Sequence, residues 1–141
     1  MKILIVNPNS DEATADVLRK TADAFLQGRV ETKVVSLKTA PRLVVTYEDQ
    51  AAATQELAEV IRTGRDVYDA FVIACHADPN LELARELAGG KPVFGIAQAS
   101  MGMAAMLSGG YAVITPSEKI IPKKFALARK YHCEEQLKTV V

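Results

Sequence analysis

Phe71-Val72-Ile73-Ala74-Cys75-His76-Ala77-Asp78-Pro79 runs from an unbroken apolar stretch into polar residues and then into a proline. A short β-branched run bounded by turn chemistry predicts a strand buried on both faces. Asp78 followed by Pro79 reads as a helix N-cap with proline in the first helical position, where its missing N–H costs nothing. The stretch therefore predicts strand, polar tip and helix in that order. A faint internal echo runs elsewhere in the chain: Ile5-Val6-Asn7-Pro8-Asn9-Ser10 and Val113-Ile114-Thr115-Pro116-Ser117 each read as strand, small polar residue, proline and then helix.

Working outward, strands are expected at Ile3–Val6, Val30–Ser36, Ala70–Ala74, Pro92–Gly95 and Tyr111–Thr115. Helices are expected over 10–26, 48–63, 79–88, 98–107 and 118–131. The first would bury the stripe Val17, Leu18, Ala22, Phe25 and Leu26, and the second Ala53, Leu57, Val60 and Ile61. Gly28, Gly64, Gly89–Gly90 and Gly109–Gly110 each follow a helical pattern, where a left-handed residue commonly ends the helix. Thr46 with Asp49, and Thr115 with Glu118, stand at capping-box spacing, and Pro122 delays the start of the last helix. Apolar strands separated by helices give an α/β fold: a parallel sheet covered by helices on both faces. Ligands of such sheets bind at the carboxyl ends of the strands, where strand order reverses.

The 141 residues, 49% of them hydrophobic, suit a compact globular chain. Seventeen basic and 17 acidic residues cancel, so nucleic acid is not an expected partner. The Lys-rich segment 119–130 reads as the solvated face of the last helix. No apolar run approaches the ~18 residues that cross a bilayer, and the N-terminal run is too short for a signal-peptide core. The two cysteines, Cys75 and Cys133, make neither a disulfide framework nor a metal-ligand spacing. A cytoplasmic enzyme without membrane contact is expected.

Cys75 is the sharpest chemical feature. At a strand tip just before a helix start, it would sit where unpaired amides favour thiolate over thiol. A thiol titrates near pH ~8.5 unperturbed, so a modest lowering yields a base at neutral pH. Against this stands the reading of Cys75 as a small buried hydrophobe. His76 reads as a loop residue near the site, since adjacent extended residues point to opposite faces. His132 and Cys133 follow the last helix, at the opposite edge from the strand tips, and read as structural. Asn7, Asn9 and Ser10 have both a capping reading and a ligand-binding one, and one loop can do both. Thr115 has the same two readings. The helix from Gln98 to Leu107 carries Met101, Met103 and Met106, a buried helix that can also wall a pocket, and Gln98 could donate into it. No Gly-rich dinucleotide fingerprint, phosphate loop or nucleophile-elbow serine is present, so chemistry without cofactor or metal is expected.

Ile3–Ser10, Val72–Pro79, Pro92–Met101 and Ala112–Thr115 together resemble, in order, the hydantoin and allantoin racemases of the aspartate/glutamate racemase family. That resemblance implies two similar α/β lobes with the active site between them, and a cysteine from each lobe flanking the α-carbon. Cys75 matches the first catalytic cysteine, while Asn7 and Thr115 would hold substrate oxygens, helped by Asn9 and Gln98. Gln98 stands where many relatives carry an acidic residue. The second catalytic cysteine would lie beyond residue 141. Residues 1–110 are then expected to form the first lobe and 111–141 the incomplete start of the second. Gln136–Val141 begins a further strand, which fits a piece of a longer protein or a unit completed by another chain. The expected partners are a small-molecule substrate and further copies of the chain. A related decarboxylase or cis–trans isomerase, or a non-catalytic small-molecule-binding lobe, are the alternatives.

Overall fold

A computed structural model describes residues 1–141. In chain order the elements are β1 (Lys2–Asn7), α1 (Glu12–Leu26), β2 (Glu31–Ser36), α2 (Tyr47–Ala52), α3 (Thr54–Gly64), β3 (Ala70–Ile73), α4 (Leu81–Leu87), β4 (Val93–Gly95), α5 (Ile96–Leu107), β5 (Tyr111–Val113), α6 (Ile121–Lys130) and β6 (Leu137–Val140). They form two compact units, Met1–Gly95 and Ile96–Val141.

The first unit is built on a four-stranded parallel sheet of order β2-β1-β3-β4, with helices flanking it as the alternating pattern requires. β1 and β3 are central, and their apolar runs supply Leu4, Val6, Phe71 and Ile73 to the core. Leu57 and Ile61, one helical turn apart on α3, are fully buried in it with Leu37 and Leu81. Burying each such side chain is worth about 1.5–3 kcal/mol. α3 approaches the sheet closely because it ends in Gly64, where a Cβ would lie 3.0 Å from the Phe71 ring. Gly64 is therefore a close-approach glycine and not a left-handed terminator, although Gly28, Gly89 and Gly90 do take positive φ.

Local chemistry explains three departures from the expected elements. The helix expected over 48–63 is two helices, separated at Ala53. The Thr46–Asp49 capping box forms as anticipated, Asp49 N–H donating to Thr46 Oγ1 at 3.0 Å and Thr46 N–H to Asp49 Oδ2 at 2.7 Å. Asp78 is not an N-cap: α4 begins two residues after Pro79, behind Asn80 in the left-handed region, and Asp78 itself has φ +44°. On α1 the cap is Asp11, accepting from Thr14 N–H at 3.0 Å. The expected apolar stripe there stays open, Val17 and Phe25 being 63% and 75% exposed while only Ala15 is buried.

In the second unit β5 pairs in parallel with β6, so the terminal segment is a strand. Met101, Val113, Ala128, Cys133, Leu137 and Val140 form its core. Met101 draws α5 into this unit, which begins at Ile96. Thr115 does not cap the last helix. Ser117 caps a single 3-10 turn, Glu118–Ile120, and α6 follows with Pro122 in its first turn. No helix is long and apolar enough to cross a membrane.

Candidate active site

Strand order in the first unit reverses between β1 and β3: the chain leaves β1 toward β2 and returns on the other side to β3. The carboxyl ends of β1 and β3 are neighbours at this reversal, Val6 pairing with Ile73 and Ala74 N–H donating to Val6 O at 2.8 Å. Asn7 ends one strand and Cys75 lies just past the other, so two residues 68 positions apart in sequence occupy adjacent tips. Crevices of this kind are where parallel α/β sheets take ligands.

Asn7 is fully buried. Its Nδ2 lies 2.8 Å from Asn9 Oδ1, 3.2 Å from Asp11 O and 3.2 Å from Ser36 Oγ. Its Oδ1 is buried with no hydrogen-bond partner. Asn9 Oδ1 also accepts from Asp11 N–H at 2.9 Å, so the two asparagines and the α1 cap form one network. Ser10 N–H donates to Pro41 O at 3.2 Å, and Leu37 N–H lies 3.2 Å and 3.1 Å from the carbonyls of Asn7 and Asn9. These bonds knit the loop after β1 to the loop after β2.

Two carboxylates fasten that second loop. Glu56 of α3 accepts from Lys38 N–H at 2.8 Å, Thr39 N–H at 2.7 Å and Thr39 Oγ1 at 2.6 Å. Partial burial alone would raise its pKa, but the Thr39 and Lys38 donors outweigh that and hold it below the usual value. Asp11 is likewise lowered, first by the Thr14 hydroxyl, then by the Thr14 amide and by Arg42, whose Nε is 3.1 Å from Asp11 Oδ1.

Cys75 is half-buried and in no disulfide. Its carbonyl accepts from Asp78 N–H at 2.9 Å, closing a turn over residues 75–78. Asp78 is buried, and its carboxyl group lies against Gly95 at the end of β4. Two residues beyond the turn, Asn80 donates its Nδ2 to Gln50 O at 3.0 Å, and its Oδ1 is 3.2 Å from Thr54 Oγ1.

Gln98 and Thr115 belong to the second unit. Gln98 lies in the first turn of α5 and is half-buried. Thr115 follows β5, donates its hydroxyl to Ser117 O at 3.0 Å, and pairs through its N–H with Val141 O at 2.6 Å. Cys133 is 3% exposed at the amino end of β6, near the start of β5, away from the strand end that carries Thr115. The Tyr111 hydroxyl donates to Cys133 O at 3.0 Å and lies 3.3 Å from its Sγ. Burial, then Cys133 and Glu134, push that phenol above its ordinary range. No cluster of three or more His, Cys, Asp or Glu side chains is placed to hold a metal ion.

Sequence reading alone passed over Ser36, Glu56, Asp11 and Gly95. Ser36 and Glu56 act across 29 and 17–18 residues respectively, contacts that local patterning does not report. Asp11 was readable, since an acidic residue directly before a helical pattern is a cap candidate.

A family model described as Asp/Glu/Hydantoin racemase matches residues 3–141. The chain is 36% identical over 121 residues to a hydantoin racemase of Pseudomonas sp. (strain NS671), an alignment covering 85% of this chain and 48% of that protein. It is 30% identical over 141 residues to a hydantoin racemase of Rhizobium meliloti, covering 99% of this chain and 58% of that one. Among solved structures, an allantoin racemase from Klebsiella pneumoniae superposes with a TM-score of 0.93 at 30% identity, over 99% of this chain and 57% of that chain. The chain thus spans about half the length of the curated relatives it matches.

Proposed function

The chain belongs to the Asp/Glu/Hydantoin racemase family, and from that premise we propose that it serves stereoinversion at the α-carbon of a small hydantoin-like or amino-acid-like molecule, with Cys75 as one base. The observation that carries this reading is that Asn7 and Cys75 lie at and just past the adjacent carboxyl ends of β1 and β3, at the strand reversal of the first unit. The Cys75 thiolate takes the α-hydrogen as a proton and becomes a thiol, while the C–H electron pair moves into the adjacent carbonyl as an enolate. Return of a proton to the same face restores the starting enantiomer, and inversion needs a second donor on the other face. Removal and return of a proton are redox-neutral, so the step calls for no nicotinamide or other electron acceptor.

Asn7 and Thr115 are the proposed holders of substrate oxygens, and Asn9, Ser10 and Gln98 complete the proposed substrate-binding set. Nδ2 of Asn7 has two hydrogens for three oxygen neighbours, so to serve a substrate oxygen it must keep only one of them, and Asp11 O and Ser36 Oγ, both at 3.2 Å, are the longer contacts to give up. Preorganised donors of this kind lower an enolate barrier by lying where charge develops.

Incubation of each enantiomer of a 5-substituted hydantoin with the chain in D₂O tests the proposal, read by chiral chromatography and mass spectrometry of the same sample. Deuterium should enter one enantiomer with retained configuration, and Cys75→Ala should abolish its uptake. Uptake that survives Cys75→Ala removes the cysteine from the mechanism. Equal uptake by both enantiomers with brisk inversion shows that a second base acts within these residues.

A further inference from the structure

Cys75 is carried on a turn whose anchoring residue lies three positions later. Asp78 is 3% exposed and has φ +44°, a conformation that aspartate tolerates better than most residues. Its carboxyl group occupies the space that any side chain at position 95 would need: a Cβ there would lie 2.6 Å from Asp78 Oδ1, with Cγ and Oδ2 nearer still. Gly95 is opposite Ile73 in the β3–β4 register, so the carboxyl rests on the end of β4, beside the strand that delivers Cys75. Two residues beyond the turn, Asn80 ties the chain to α2 and α3. Residues 75–77, which precede both anchors, stay half-exposed.

We infer that Asp78 is a positioning residue for Cys75, and that Gly95 is glycine because its Cα is the seat for the Asp78 carboxyl. The inference rests on Cys75 being the reactive group of the site. Asp78 need not touch the substrate. It fixes the backbone from which the thiol projects, through the hydrogen bond from its N–H to the Cys75 carbonyl.

The test uses the full chain and the rate of Cys75 alkylation by iodoacetamide, with Cys133 in the same molecule reporting any global loosening. Asp78→Gly accepts the positive φ but removes the carboxyl. It should change the Cys75 rate severalfold and move the amide resonances of residues 75–77, while Cys133 keeps its rate. Asp78→Asn, the same shape without the charge, should restore most of the native rate. Gly95→Ala should lower the melting temperature sharply, and adding Asp78→Gly should recover part of that loss without recovering the native Cys75 rate. If Gly95→Ala does not fold, folding of the double variant supports the steric pairing, and its failure to fold overturns it. A native Cys75 rate in Asp78→Gly, or no recovery of stability in the double variant, also overturns the inference. None of these readouts needs turnover, so a failed deuterium-exchange experiment would reject the racemase reading and leave this one standing or falling separately.

Discussion

Asn7 has two amide hydrogens and three oxygen neighbours, so its side chain can face only one way. Asn7→Asp keeps the shape but sets a carboxylate oxygen against two acceptors, Asn9 Oδ1 and Asp11 O, in a buried place where only the Ser36 hydroxyl can turn to donate. We expect a loss of about 3 kcal/mol at neutral pH, seen as a lower urea midpoint. The loss should shrink in acid, because the introduced carboxyl, with a raised folded-state pKa, protonates there and regains a donor. An unchanged midpoint would mean that the amide is not held as described. Cys75 and Cys133 differ at the same scale: the first is half-buried on a turn, the second packed in a core beneath Tyr111. Cys75 should be alkylated well before Cys133 in the folded chain, quantified by peptide mass. Preferential labelling of Cys133 would reverse the assignment of the accessible thiol. The sequence made Cys75 legible because strand tips can be read from an apolar run and its polar end. It could not reveal that Asp78 turns inward, because the choice between helix cap and buried anchor depends on Gly95, a residue on another strand.

At the scale of elements, β1, β2 and β3 were readable because each is an apolar or β-branched run between turn residues, and a parallel order followed from the helices between them. The α1 stripe misled for a physical reason. Val17 and Phe25 have helical spacing with Leu18 and Ala22, yet α1 buries only Ala15, and periodicity does not say whether a face is covered. The loop after β2 shows a second limit, since its order comes from Glu56 and Asp11 on distant helices. Both carboxyls have folded-state pKa values lowered below their unfolded ones. Their contribution is therefore complete above the ordinary carboxylate range, near pH ~4, and disappears as pH falls through the lowered folded values. Glu56→Gln should cost about 1 kcal/mol or less at pH 7, given its partial exposure. That difference from the native chain should shrink as pH falls below the ordinary carboxylate range and vanish once Glu56 is protonated in the folded chain. Chemical denaturation across this range checks it, and a cost that persists in acid would point to packing and not to charge-assisted hydrogen bonds.

For the whole molecule, the two units have unequal means of holding themselves together. The first has four paired strands and a core that includes Phe71, Leu57, Ile61 and Leu81. The second has a two-stranded sheet and a core of six buried residues, close to the smallest arrangement that folds in water. Native-state hydrogen exchange should show β1 and β3 amides more protected than those of β5 and β6, by tenfold or more if the difference exceeds about 1.4 kcal/mol. Equal protection throughout would show that the chain opens as one cooperative body. The sheet order of the first unit has a further consequence, for the chain as it is being made. β1 is completed early, but its second neighbour, β3, begins only at residue 70. At about 5–20 residues per second, synthesis leaves one edge of an apolar central strand waiting for several seconds. During that interval β1 and β2 are a parallel pair with an open edge, the kind of surface that a neighbouring nascent chain can occupy. The arrangement that brings the ends of β1 and β3 together in the finished protein thus leaves the first strand of the growing one with an unpaired edge until the third arrives.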